Sequence, residues 1–168
     1  MLDKAGGEND VYSFGNGGLA VAFDLNRISG TSALQLLRPA NVSVRCDEAT
    51  IELPLSSEHE IELYFPAPGG EVMTTWLELA ADVLNHLTAI DNEVQRVCAE
   101  YWFKHSAGST SPITFYEGEL AYITLTDTNE AVLGYFVIGC NSNWEERFVF
   151  NEGKWMRVPA TPTSPTDT

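Results

Sequence analysis

The chain has 168 residues, 44% of them apolar and 11% aromatic, which suffices for one domain with its own core. Lys and Arg number 9 against 24 Asp and Glu, a net charge of −15 that repels phosphate backbones and anionic lipid. That balance argues against nucleic acid and membrane as partners and points to a basic protein surface instead.

The acidity is concentrated. Between Arg45 and Arg96 there is no Lys or Arg, while Asp47, Glu48, Glu52, Glu58, Glu60, Glu62, Glu71, Glu78, Asp82, Asp91 and Glu93 all fall in that window. Such a window is either a solvated face that keeps the protein soluble or a patch for a cationic partner.

Residues 1–10, MLDKAGGEND, carry neither a basic stretch nor an apolar run, so they read as polar and loose, with no signal peptide. Residues 11–25 read as two strands around Asn16-Gly17, a common hairpin turn pair. Residues 28–46 are ambiguous: Ala33–Leu37 fits a short helix or a strand, and Val42 and Val44 alternate as a strand would.

The clearest hairpin is TIELPLSSEHEIELYF, residues 50–65. Ile51, Leu53 and Leu55 share one face, as do Ile61, Leu63 and Phe65, and both faces must enter the core. Glu52, Glu60 and Glu62 then point outward beside Tyr64. A three-residue loop sets Glu52 across from Glu62, a like-charge pair; a five-residue loop sets it across from Tyr64. Pro54 cannot donate to a ladder, so this hairpin is expected to supply a sheet edge.

PAPGG, residues 66–70, breaks the chain, and a helical period follows: Val72, Trp76, Leu77, Ala80, Val83, Leu84, Leu87, then Ile90, Val94, Cys98 and Tyr101. With Asp91 as an N-cap this gives two helices, 71–88 and 92–105; one long bent helix is the alternative. Residues 105–112 form a loop. Strand-like runs follow at 113–116, 120–126, 131–139, 147–151 and 154–158, with turns at Glu117-Gly118, Asp127–Asn129 and Glu152-Gly153. Residues 159–168 are a low-complexity tail that builds no core.

Strands, then helices, then strands, with no β-α-β alternation, give an α+β fold: an antiparallel sheet of N-terminal hairpins and a C-terminal meander packed on one or two helices across 71–105. Residues 1–158 are read as a single domain.

The sequence holds no phosphate loop, dinucleotide fingerprint or nucleophile elbow. His59, His86 and His105 are isolated, so no metal site is expected, and no cofactor is implied. Asp127–Glu130 echoes the start of a calcium loop but lacks its central Gly and distant Glu, so it reads as a turn. Cys46, Cys98 and Cys140 are far apart and odd in number, as in a reducing cytoplasm.

Glu145 and Glu146 are adjacent carboxylates beside Trp144. Strand neighbours point to opposite faces, so they would rarely converge on one substrate as a catalytic pair must. A turn or bulge near 143–146 is the simpler picture, with Trp144 as a lid on the core; a large aromatic is also a typical binding anchor.

The segment YFVIGCNSNWEERFVFNEGKW, residues 135–155, resembles the C-terminal signature of a group of small, acidic bacterial domains of unknown function. In those, a strand leads into Cys-x-Trp-Asp/Glu-Glu-Glu-His-Gly, another strand and an Asn-Gly-type turn. Cys140, Trp144, Glu145, Glu146, Phe148, Val149, Phe150 and Glu152-Gly153 fit it. Three residues separate Cys140 from Trp144, and Arg147-Phe148 stands where His-Gly belongs. Members of the group occur as immunity proteins encoded beside toxins. Together with the base-free acidic window and the missing catalytic motif, the resemblance points to a cytoplasmic immunity protein, not an enzyme, that neutralises a basic toxin; Glu52, Glu60, Glu62 and Tyr64, exposed by their alternation, are its candidate docking patch, with Trp144, Glu145 and Glu146 as further candidates. An adaptor or small-molecule-binding module near Trp144, or a carboxylate-dependent hydrolase, is the alternative.

Overall fold

The computed structural model describes residues 2–5, 10–14, 21–23, 28–55, 59–106, 117–138 and 142–159. They form an α+β fold with two sheets. The first holds β1 (Leu2–Ala5), β2 (Asp10–Phe14) and β3 (Val21–Phe23) in that order. Both of its pairings are antiparallel. The hairpin of β2 and β3 agrees with the alternation of the sequence, although Asn16-Gly17 lies outside the described residues. The expected looseness of residues 1–10 is corrected: Leu2–Ala5 pairs with Val11–Phe14, since a polar segment can still donate and accept along a ladder.

The second sheet has seven strands. They are β4 (Ser43–Arg45), β5 (Glu48–Pro54), β6 (Glu60–Pro66), β7 (Glu117–Asp127), β8 (Glu130–Ile138), β9 (Ser142–Asn151) and β10 (Lys154–Val158), ordered β10-β9-β8-β7-β6-β5-β4. Ala33–Leu36, ambiguous in sequence, is a short 3-10 helix, and the strand after it is limited to Ser43–Arg45.

The β5–β6 hairpin takes the tighter of the two registers. Leu55 N–H donates to the His59 carbonyl at 2.8 Å, leaving three residues in the loop, and Glu52 sits opposite Glu62. The core face is as the alternation demands: Ile51, Leu53, Leu55, Ile61, Leu63 and Phe65 are all buried. Each such side chain contributes on the order of 1.5–3 kcal/mol. β4 covers only Glu48–Thr50 of β5, so Pro54 pairs with Glu60 of β6 on one side and has no described strand on the other.

Residues 74–106 form the helical layer, α1 (Thr74–Asn85) and α2 (Leu87–Ser106). The break is at His86, with φ −103° and ψ 3°, and its N–H is shared between the carbonyls of Asp82 and Val83. The expected N-cap at Asp91 is corrected. Asp91 is inside α2 and only 1% exposed, and its Oδ1 accepts from Gln95 Nε2 at 3.3 Å. Leu77, Ala80, Val83, Leu84, Leu87, Ile90 and Val94 pack on the sheet in one continuous core.

Passing through this layer brings the chain back parallel to its departure. β6 and β7 pair in parallel, Glu62–Tyr64 with Tyr122–Thr124, in a sheet otherwise antiparallel. The expected turn at Glu117-Gly118 is corrected: both residues are in β7. Gln95 fixes them there, because its side-chain amide donates to Gly118 O at 2.6 Å and accepts from Gly118 N at 3.1 Å. The run expected at 113–116 lies outside the described residues, as does Cys140. Cys46 is a free exposed thiol, and Cys98 is buried.

β7 carries a bulge between Leu120 and Tyr122. Leu120 faces the core, and past the bulge Ile123 and Leu125 do. One extra residue reverses the alternation. That reversal sends Tyr122 to the outer face of the sheet.

Candidate binding face

The outer face, opposite the helices, carries a row of residues in one register across five strands. Glu52 pairs with Glu62, Glu62 with Tyr122, Tyr122 with Gly134 and Gly134 with Glu145. At the usual strand spacing of about 4.8 Å the row spans about 19 Å.

Its geometry follows from the residue types. Gly134 has no side chain, and the Tyr122 ring lies over it: a Cβ added at Gly134 would sit 2.1 Å from Tyr122 Cζ. A ring over a cross-strand glycine fills the missing side-chain position on the sheet surface. Thus placed, the Tyr122 hydroxyl reaches across β8 and donates to Glu145 Oε1 on β9. Tyr64, one pleat along β6, meets Tyr122 edge-on at 6.3 Å and 78°, and its hydroxyl donates to Glu62. Both phenols are pushed up to about 12: the hydrogen bond to a carboxylate, Glu62 for Tyr64 and Glu145 for Tyr122, comes first and partial burial second.

Glu52, Glu62 and Glu145 are exposed, as is Glu60, which faces Pro54 at the far end of the hairpin. Arg147, two residues along β9, is bound by Glu130 of β8, whose carboxyl is held below its ordinary range by that guanidinium first and by the Thr126 hydroxyl second. Phe136 and Met156 are 39% and 49% exposed. A hollow of about 430 Å³ beside the row is lined by Tyr64, Asp47 and Glu48 among others.

Of the seven residues singled out from the sequence, Glu52, Glu60, Glu62, Tyr64 and Glu145 share this face; Trp144 and Glu146 do not. The expected turn at 143–146 is corrected, since Ser142–Asn151 is one strand and its alternation puts Trp144, Glu146 and Phe148 under the helices. Glu145 and Glu146 therefore point to opposite faces and cannot flank one substrate bond.

Glu146 is 7% exposed, and both of its oxygens are occupied: Trp144 Nε1 donates to Oε1 at 3.0 Å, and Arg157 Nη1 to Oε2 at 3.1 Å. Arg157 Nε lies 3.8 Å from Glu93, which with Glu100 also holds Arg96. This chain of charges ties β9 and β10 to α2, a structural clamp. Trp144 is half-buried rather than largely buried. It packs against the core on one side and meets the exposed Tyr101 ring edge-on at 5.0 Å on the other.

Tyr122 and Gly134 escaped the sequence reading. Their signal was present in the phase change between Leu120 and Ile123, but it does not show which strand lies alongside. His59, isolated in the sequence, has partners in the fold: its ring bridges Glu119 Oε1 at 3.0 Å and the Leu120 carbonyl at 2.7 Å.

Among the described residues no group of three or more His, Cys, Asp or Glu is placed to hold a metal ion, and no helix is long and apolar enough to cross a membrane. Comparison with protein-family models, with curated proteins and with solved structures finds no match to the chain.

Proposed function

We propose that the chain is a binding protein that captures a basic protein partner on the outer face of its seven-stranded sheet. The observation that carries this reading is the registered row Glu52–Glu62–Tyr122–Gly134–Glu145 with Tyr64 beside it. Carboxylates at the two ends of a tyrosine floor suit a surface bearing Arg or Lys. The guanidinium forks onto carboxylates and stacks on aromatic rings, and a cation relieves the repulsion of the facing Glu52 and Glu62. The hollow lined by Asp47 and Glu48 offers a further seat for a basic side chain.

Within that reading, the narrower proposal is an immunity protein that neutralises a basic toxin encoded beside it. Support comes from the acidic, tyrosine-bearing face and from the C-terminal segment's resemblance to immunity-associated domains. Association is then fast and salt-sensitive, because grouped like charges steer a cation from a distance. The test is to replace Glu52, Glu62 and Glu145 by Gln and measure association with the neighbouring gene's product at low salt. Slower association with a flatter salt dependence, and loss of protection in cells, is the expected result. Unchanged association kinetics overturn the reading and leave the acidity to solubility.

A further inference from the structure

The edge formed by β10 presents a different opportunity. The β9–β10 turn is Glu152-Gly153, with φ 50° and 79°, the two-residue hairpin geometry in which the flanking residues exchange both hydrogen bonds. Lys154 with Asn151 and Met156 with Val149 are then the bonded pairs, and Trp155 and Arg157 the alternate ones. The Phe150 N–H agrees with this phase: it turns away from β10 and donates to the Asn129 carbonyl at 2.8 Å. By the same alternation the backbone N–H and C=O of Trp155 and Arg157 point out of the sheet edge. Among the described residues no strand pairs with β10 there.

Alongside that edge runs a groove of about 440 Å³. Its one wall is the four successive residues Lys154–Arg157, and its other is Ala89, Ile90 and Glu93 of α2. Trp155 is fixed in the wall because its Nε1 donates to Asp82 Oδ2 at 2.7 Å, and Arg157 because Glu146 and Glu93 hold it. Lys154 at the rim has no ion-pair partner among the described residues, although the chain's net charge is −15. A strand edge beside a helix, with a pocket between them, matches how sheets accept an added strand: the backbone supplies affinity and the pocket reads alternate side chains.

We propose that the β10 edge and its groove are a second binding site, one that takes an extended peptide segment of a partner protein as an added strand. The segment places an apolar side chain on Ile90 and Trp155 and a carboxylate beside Lys154. The backbone groups of Trp155 and Arg157 select an extended chain, and the Lys154 ammonium at the rim selects the carboxylate. The site is independent of the acidic outer face, and it uses none of the carboxylates there.

The test begins with random peptides displayed on phage and panned against the full chain, with the Ala89→Trp variant as the counter-selection. Ala89 is exposed, so the substitution fills the groove and leaves the core intact. A selected peptide is then synthesised with one backbone N-methyl group at each position in turn. Strand addition weakens binding by about tenfold or more at every second position and little between, because only alternate N–H groups face β10. Lys154→Glu weakens the same peptide, amide exchange slows at Trp155 and Arg157, and the Glu52, Glu62 and Glu145 to Gln variant still binds. Four outcomes overturn the proposal: no enrichment over Ala89→Trp, methylation effects without a period of two, exchange protection confined to the outer face, or a chain that dimerises through β10 and excludes the peptide. A peptide that binds the triple Gln variant while the basic partner does not separates this site from the outer face.

Discussion

Glu52 on β5 stands directly opposite Glu62 on β6, and no cation lies in the row with them. Like charges in a cross-strand pair are destabilising, so the free protein carries a cost here that the proposed basic partner would remove. Glu52→Gln should therefore stabilise the isolated protein at neutral pH by about 0.2–1 kcal/mol. Denaturant unfolding at pH 7 checks this. A variant less stable than wild type at pH 7 would show the pair to be favourable.

Tyr64 and Tyr122 should ionise late in an ultraviolet-absorbance titration, with midpoints pushed up to about 12. Their folded pKa lies above the unfolded value of 10.0, so the stability they contribute is complete below pH 10 and is lost as pH rises toward 12. Gly134→Ala puts a methyl group where the Tyr122 ring lies and should swing that ring off Glu145. One titration should then return toward 10, at a stability cost of about 1–3 kcal/mol. An unchanged titration curve in Gly134→Ala would refute the coupling of Gly134, Tyr122 and Glu145.

Arg157→Met leaves the buried Glu146 with Trp144 alone and should cost about 3 kcal/mol. Adding Glu146→Gln removes the stranded charge and should recover most of that loss. The double-mutant cycle in urea measures the coupling; additive losses would mean that the pair is not a clamp.

Trp144→Ala should cost about 2–3 kcal/mol, below the full cost of emptying a core site, because one side of the ring already faces Tyr101 and solvent. Binding of a basic partner should survive in the folded fraction, since Trp144 faces the helices. Lost binding with unchanged stability would move the binding face to the other side of the sheet.

Much of the fold is legible in period and punctuation. The apolar sets of 51–55 and 61–65 fix both the hairpin and its inner face, and the helical period from Trp76 to Tyr101 fixes the layer that covers it. Errors fell where one distant residue decides the local structure. Gln95 holds Gly118 in a strand although its dipeptide looks like a turn. The helix continues through Asp91, whose polarity suggested a cap, because Gln95 beside it supplies a buried donor. Glu145 and Glu146 were correctly separated by the strand alternation, but the turn placed beneath them was not there. The candidate row was half legible: Glu52, Glu62 and Tyr64 follow from alternation, whereas Tyr122, Gly134 and Glu145 join them only through pairings between strands far apart in sequence.

The parallel contact of Glu62–Tyr64 with Tyr122–Thr124 is a seam between two assemblies that can each form from neighbouring segments, the β5–β6 hairpin on one side and the β7–β10 meander on the other. Joining them requires the helical layer to be in place, and closing so long a loop is slow compared with zipping a hairpin. The acidic pair belongs to one assembly, and the tyrosine over its glycine to the other. A nascent or partly unfolded chain thus displays neither the full row nor the 19 Å spacing of about four strand steps. Capture of the proposed partner would thereby report that the whole sheet has closed, and a chain caught halfway would offer a basic protein only scattered charge.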